Sequence, residues 1–205
     1  MLWSSRPNSY KKTRLSAARA TREELLNEYA NGAGYHRVLA SRLDRRPVST
    51  SVPIVPWPDC PFGCGKQAVN RTLGKADVIV MTPDALGTKI FFYRRRQGDI
   101  RLRFELHLDE TGVFFARRVF RYLTPQSCEA IVGSVGDKYV GTAAGFDDKN
   151  EKVVSEEGDE LIITSASGLG QVTAEYLRPS SAFFTMINSA PDETAGRTGI
   201  YGDIV

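Results

Sequence analysis

The stretch Ile100-Arg-Leu-Arg-Phe-Glu-Leu-His-Leu-Asp109 alternates apolar with polar side chains along its whole length. Because successive side chains of a strand point to opposite faces, this pattern predicts a β-strand with one apolar and one charged face. A second run, from Thr88 to Arg95, precedes it, and Gln97-Gly-Asp99 between the two is a tight-turn sequence. The two runs therefore predict a β-hairpin, from which the rest of the fold can be worked outward.

Short β-branched and aromatic runs, separated by turn residues, continue after the hairpin. Val113 to Leu123 predicts the next strand, with large apolar side chains on both faces. Further strands are predicted at 128–135, 138–143, 151–155, 160–166, 171–177 and 182–188. Strands at this spacing are typical of an all-β sandwich or barrel. We therefore predict a mainly β protein, an antiparallel β-sandwich at residues 76–190 followed by a C-terminal tail at 191–205.

The first 46 residues have a different character. Residues 1–20 lack hydrophobic periodicity and predict a mobile basic arm. Thr21-Arg-Glu-Glu24 fits a capping box, which predicts that a short helix begins there. A second, basic amphipathic helix is predicted from Tyr35 to Leu43. Residues 47–75 are predicted to be a connector, whose first part is too rich in proline for a helix or a central strand.

Charge is distributed unevenly along the chain. Residues 1–46 carry ten Lys or Arg and four acidic residues, a net charge of +6, and residues 66–121 carry twelve and six, again +6. Residues 122–205 carry five and thirteen, a net charge of −8. A basic half of this kind favours an anionic partner, nucleic acid before an anionic membrane surface. The alternative is that the basic and acidic regions face water or each other.

Arginines of the basic half alternate with aromatic residues. Arginine outnumbers lysine seventeen to five there, and the guanidinium group binds phosphate bidentately. Aromatic rings can stack on unpaired bases, which favours a single-stranded nucleic acid as the partner. The predicted nucleic-acid-binding residues are Arg6, Lys11, Lys12, Arg14, Arg19 and Arg22 in the arm, and Arg94, Arg95, Arg96, Arg101 and Arg103 in the hairpin. Arg117, Arg118 and Arg121 form a third interleaved run. The alternative is that these arginines line a wet sheet face and that the aromatic residues pack in the core.

Cysteine and histidine offer two further candidate sites. Cys60 and Cys64 lie on a Gly/Pro turn and could bind zinc, but a tetrahedral site needs two more ligands, and no second close pair exists. We therefore expect no cofactor and free thiols, with zinc as the alternative. His107, Asp109 and Cys128 could form a hydrolase triad. No glycine turn presents Cys128, however, and His107 also fits the outer face of the hairpin, so we do not expect an enzyme.

The order of these parts resembles the small single-jelly-roll coat proteins of positive-strand RNA viruses, in particular those of plants. The resemblance rests on the basic arm, the helix after Thr21, the proline-rich connector 47–61 and about eight strands between 76 and 190. It covers nearly the whole chain without a shared residue motif. It implies an eight-stranded jelly roll of two sheets, many identical subunits, and arms that lie on RNA inside a shell. This chain departs from the family at Glu23, Glu24 and Glu28, which favours a protein contact for the helix.

The leading expectation is an RNA-packaging coat subunit that binds nucleic acid non-specifically and forms homo-oligomers, located in a virion or the host cytoplasm. The alternative is a nucleic-acid-binding protein outside capsids, such as a viral silencing or movement factor or an organellar RNA-binding protein. The first 22 residues contain no acidic residue and also fit an organellar transit peptide. The apolar runs are far shorter than the roughly 20 residues that cross a bilayer, so no membrane span is expected.

Overall fold

The computed structural model describes residues 8–83, 87–141 and 145–189, with side chains from Leu15 onward except that of Gln97. The helices are α1 (Asn8–Tyr29), α2 (Ala33–Leu43), α3 (Lys66–Leu73), α4 (Pro125–Tyr139) and α5 (Ala182–Ser189). The strands are β1 (Arg46–Thr50), β2 (Val78–Met81), β3 (Lys89–Gln97), β4 (Ile100–Asp109), β5 (Gly112–Arg121), β6 (Glu151–Ser155), β7 (Glu160–Ala166) and β8 (Gln171–Leu177). A single 3₁₀ turn, Ser167–Leu169, joins β7 to β8.

The strands form one eight-stranded sheet in the order β1-β6-β7-β8-β5-β4-β3-β2. β1 and β6 are parallel, and every other neighbouring pair is antiparallel. One face, the α1 face, packs alternate strand residues such as Phe92 against α1, α2 and α5. The opposite α4 face packs residues such as Phe104 and Leu106 against α3, α4 and the segment before α3. The fold is therefore rich in sheet, with helices covering both faces of a mixed sheet.

The hairpin and four further strands lie where the sequence predicts them. β3 and β4 pair along their whole length, β5 adds to β4, and β6, β7 and β8 match their predicted ranges. Of the strand predicted at 138–143, residues 138 and 139 instead end α4, and residues 142 and 143 lie outside the described ranges. The strands predicted at 128–135 and 182–188 are wrong, because these residues form α4 and α5. In place of the two facing sheets of the predicted sandwich, these helices and the N-terminal ones cover the single sheet.

The N-terminal region also differs from its prediction. α1 begins at Asn8, and the hydroxyl of Thr21 donates to the carbonyl of Ala17 inside that helix, so the capping box is wrong. α2 confirms the predicted second helix, and Leu25 and Tyr35 are fully buried in the core of the α1 face. The part of residues 1–46 that the structure describes with side chains is thus integrated into the domain. β1, apart from its first residue Arg46, and α3 lie within the predicted connector at 47–75. The predicted tail at 191–205 lies outside the described residues.

Several arginines of the basic half pair with acids of the acidic half. Arg42 binds Glu160 with two bonds of 2.7 and 2.6 Å, and Arg46 pairs with Glu151. Both arginines were counted in the basic N-terminal block. For these residues the alternative interpretation of the charge pattern, in which basic and acidic regions face each other, is confirmed.

Candidate nucleic-acid interface

A pocket of about 470 Å³ opens at the tip of the β3–β4 hairpin. Its walls are made by Arg94, Arg95, Arg96, Arg101, Leu102, Arg103, Arg121 and Tyr122. All five arginines predicted in the hairpin are therefore brought together, and the end of β5 adds a sixth. A pocket of this size is in the range that holds small ligands or part of a larger one.

The strand register explains why the arginines converge. Arg96 lies opposite Arg101, and Arg101 in turn lies opposite Arg121, so one row of arginines crosses three strands. Arg94 and Arg103 form a second opposed pair. Because side chains alternate between faces with a period of two, positions 94, 96, 101, 103 and 121 all lie on the α1 face. Like charges directly opposite each other destabilise a sheet, so this arrangement costs folding free energy.

Acidic residues compensate only part of this charge. Glu24 pairs with Arg103 at 2.9 Å, Asp99 with Arg96 at 3.2 Å, and Asp77 lies 3.8 Å from Arg95. Within the described part of the chain, no salt bridge involves the three remaining arginines, which are Arg94, Arg101 and Arg121. Six arginines and three acidic partners leave three positive charges in the pocket.

Helix α1 passes over one side of the pocket. Nη2 of Arg94 donates to the carbonyl of Ala17 at 3.3 Å and to the hydroxyl of Thr21. Of the arm residues predicted to bind nucleic acid, Arg19 is exposed and pairs with Glu23 at 2.9 Å, and Arg22 is exposed. Lys11, Lys12 and Arg14 lie in the first turns of α1, but their side chains are outside the described part, as is the whole of Arg6.

Away from the pocket, Glu105 and His107 of the hairpin are buried under α1 and α2. The hydroxyl of Tyr29 donates to Oε2 of Glu105 at 3.1 Å, and the hydroxyl of Tyr35 lies 2.7 Å from Nδ1 of His107. Arg117 binds Glu28 of α1 at 2.6 Å. The prediction that His107 lies on the outer face of the hairpin is wrong, because α1 and α2 pack over it and it is fully buried. Two of the acidic residues of α1, Glu24 and Glu28, therefore contact arginines of the sheet, and their departure from the coat-protein pattern favoured such a protein contact.

This buried network shifts the pKa of its members. Burial lowers the pKa of His107 below its usual value, although the Glu105 carboxylate acts in the opposite direction. Burial alone would raise the pKa of Glu105, but His107 and the guanidinium groups of Arg117 and Arg103 outweigh it and hold that pKa below the usual range. At neutral pH the network therefore holds a neutral imidazole beside a charged carboxylate.

The remaining arginines of the third run have internal partners. Arg118 lies on the α4 face, where its guanidinium is 4.8 Å from the ring centre of Trp57 and donates to the carbonyl of Pro56. With Arg117 bound to Glu28, only Arg121 of this run reaches the pocket.

The structure does not assemble the hydrolase triad. His107 contacts Tyr29 and Tyr35 on the α1 face, whereas Cys128 lies on α4 in the core of the opposite face. Asp109 accepts from the backbone amide of Thr111 at 2.7 Å within the β4–β5 turn. The sheet thus separates the nucleophile from the base.

Cys60 and Cys64 remain neighbours with free thiols. Burial raises the pKa of Cys60 to about 12, and the adjacent thiol of Cys64 adds to the shift. No group of three or more His, Cys, Asp or Glu residues that could hold a metal occurs among the described residues. In that part of the chain, the two thiols therefore lack the additional ligands that a tetrahedral zinc site requires.

Comparison of the chain with models of protein families, with curated proteins and with solved structures found no match. In the portion of the chain with described structure, every helix is too short or too polar to cross a bilayer.

Proposed function

We propose that the protein binds single-stranded RNA through phosphate contacts in the arginine pocket. The observation that carries the proposal is the set of three arginines without an ionic partner among the described residues, in rows where like charges face each other. Such rows lower stability, and a bound polyanion would offset that cost. Guanidinium groups match phosphate oxygens in charge and in geometry.

Binding of this kind would be non-specific in sequence. Phosphate contacts fix position and supply affinity, whereas bases are distinguished through contacts to their edges. The pocket is lined by arginines, one leucine and one tyrosine, and the latter two offer bulk apolar surface more than directional hydrogen bonds. We therefore expect similar affinity for strands of different sequence and a strong dependence on salt.

The proposal agrees better with a nucleic-acid-binding protein outside capsids than with a coat subunit. A jelly-roll coat protein has two facing sheets and a basic leader separate from the body, whereas here α1 packs on a single mixed sheet. Light scattering of the purified protein with RNA separates the two functions. Monomers or small oligomers support the non-capsid proposal, and large closed particles would instead support a packaging role.

A salt titration tests the phosphate contacts. Each contact with a single strand contributes about −0.7 to the slope of log affinity against log salt. Replacing Arg101 and Arg121 together by Gln should therefore make the slope shallower by about 1.4, measured by fluorescence anisotropy of a labelled single-stranded RNA. The lower the salt, the larger the loss of affinity should be.

Arg37→Gln is the matched control. Arg37 is exposed on α2. Its part of the helix lies away from the pocket, because Tyr35 contacts His107, several residues along β4 from the pocket. This variant loses one positive charge, against two in the Arg101/Arg121 variant, and should keep the wild-type slope. An unchanged slope in the Arg101/Arg121 variant would overturn the proposal, as would an equal change in Arg37→Gln.

A further inference from the structure

Tyr122 stands out at the rim of the arginine pocket. Its residue exposure is 72%, and no other Phe, Tyr or Trp whose side chain the structure describes is exposed. Buried aromatic rings contribute to stability by packing, but an exposed one gains little in this way. Packing therefore does not explain why an aromatic residue occupies this position.

The backbone of Tyr122 is also unusual. Its φ is +63°, in the left-handed region that asparagine and glycine adopt more readily than tyrosine. The position is fixed from both sides, because Arg121 ends β5 and the amide of Leu123 donates to the carbonyl of Gly170 at 2.9 Å. A residue in this conformation typically costs about 1–3 kcal/mol, and such residues cluster at ligand sites.

An arginine of the pocket already stacks on this ring. The guanidinium carbon of Arg101 lies 4.9 Å from the ring centre of Tyr122. The exposed fraction of the side chain leaves area for a second flat group. Single-stranded nucleic acids are bound by this combination of a cationic groove for the backbone and an aromatic ring for a base.

From this geometry we infer that Tyr122 is a stacking platform for one unpaired base whose flanking phosphates lie in the arginine pocket. The inference rests on the proposed function and deepens it by naming the ligand class, a strand with unpaired bases. A duplex keeps its bases stacked inside, so it cannot offer one to the ring. A chain of inorganic phosphates has no base to offer. Both should bind through the arginines alone.

Two variants at position 122 isolate the ring. Tyr122→Asn removes the ring and places a residue that tolerates the left-handed backbone, so folding should be preserved. Tyr122→Phe keeps a ring for stacking and serves as the matched control. The probes are a labelled single-stranded RNA of mixed sequence, the same RNA annealed to its complement, and inorganic polyphosphate as a competitor.

We expect Tyr122→Asn to weaken binding of the single strand by about five- to 150-fold, the range of one base stacked on an aromatic ring. Its affinity for the duplex and for polyphosphate should stay within about twofold of wild type, and Tyr122→Phe should bind the single strand like wild type. The inference is overturned if Tyr122→Asn binds the single strand normally, or loses affinity equally for all three ligands. The proposed function fails separately, if Arg101→Gln with Arg121→Gln leaves binding of every ligand unchanged.

Discussion

Arg101 occupies the middle of the arginine row, which makes it the most informative single position in the protein. It lies opposite Arg96 on one side and Arg121 on the other, and it has no ion-pair partner among the described residues. For two like charges about 7 Å apart in water, Coulomb's law gives a repulsion of roughly 0.6 kcal/mol, or about 1.2 kcal/mol for two such pairs. The stacking contact with Tyr122 returns about 0.5 kcal/mol, as for an exposed cation over a ring.

Arg101→Gln should therefore raise the free energy of unfolding by about 0.7 kcal/mol at 0.01 M salt, where charges are barely screened. At 1 M salt the repulsion is screened over about 3 Å, and only the lost stacking contact remains. The variant should then be about 0.5 kcal/mol less stable than wild type. Urea denaturation of both proteins at the two salt concentrations measures this change of sign.

The control for this prediction is again Arg37→Gln, which removes a favourable pair with Glu28 at 3.4 Å. Since both partners of that pair are partly or largely exposed, its loss should cost about 0.5 kcal/mol or less at low salt and nothing at high salt. The reasoning about the arginine row is refuted if Arg101→Gln is destabilised at low salt, or if its effect does not depend on salt.

Three further predictions concern the scaffold that holds the pocket. Thr124→Ala should lower the free energy of unfolding by about 1 kcal/mol, seen in thermal melts, because it removes the side chain that caps α4. Gly34→Ala should lower the melting temperature markedly, because an added Cβ would lie 2.7 Å from a tyrosine ring and 2.8 Å from a backbone carbonyl of α1. Acidification should destabilise the fold below about pH 6.5, because the lowered pKa of buried His107 lets the unfolded chain bind that proton at a higher pH than the folded one. Stability should fall further below about pH 4.5, because the lowered pKa of Glu105 means that its carboxylate is protonated in the unfolded chain first. Burial raises the pKa of Glu175, so its protonation in the folded state offsets part of this loss of stability. Denaturation midpoints between pH 7 and 4 measure the net dependence of stability on pH.

The strands that sequence predicts well are those whose pattern is local. In β4 the alternation of side chains is complete, and its partner β3 follows across a short turn, so both were predicted within two residues. The two missed helices carried signals that β-like composition obscured. Thr124-Pro125 is a typical helix start, with a capping threonine and a proline at the first position. Ser181 caps α5 in the same way, through a bond to the amide of Phe184.

Part of the site could be predicted from the sequence, again because the pattern behind that part is local. The hairpin arginines share one strand pair, so their alternation alone places most of them together. Arg121 and Tyr122 join them only because β5 pairs with β4 in one register and then turns sharply, which no local pattern specifies. The burial of His107 depends on how α1 packs across the sheet, a long-range contact that alternation of charge within a strand cannot reveal.

Arginine footprinting tests the central claim most directly, because it measures which guanidinium groups meet the ligand. The protein is treated with phenylglyoxal, which modifies accessible arginines, with and without saturating single-stranded RNA, and the modified residues are identified by mass spectrometry. We predict that RNA protects Arg101 and Arg121 and leaves the reactivity of Arg37 unchanged. Equal reactivity of Arg101 and Arg121 in the free and the RNA-bound protein would contradict a nucleic-acid site at the hairpin tip.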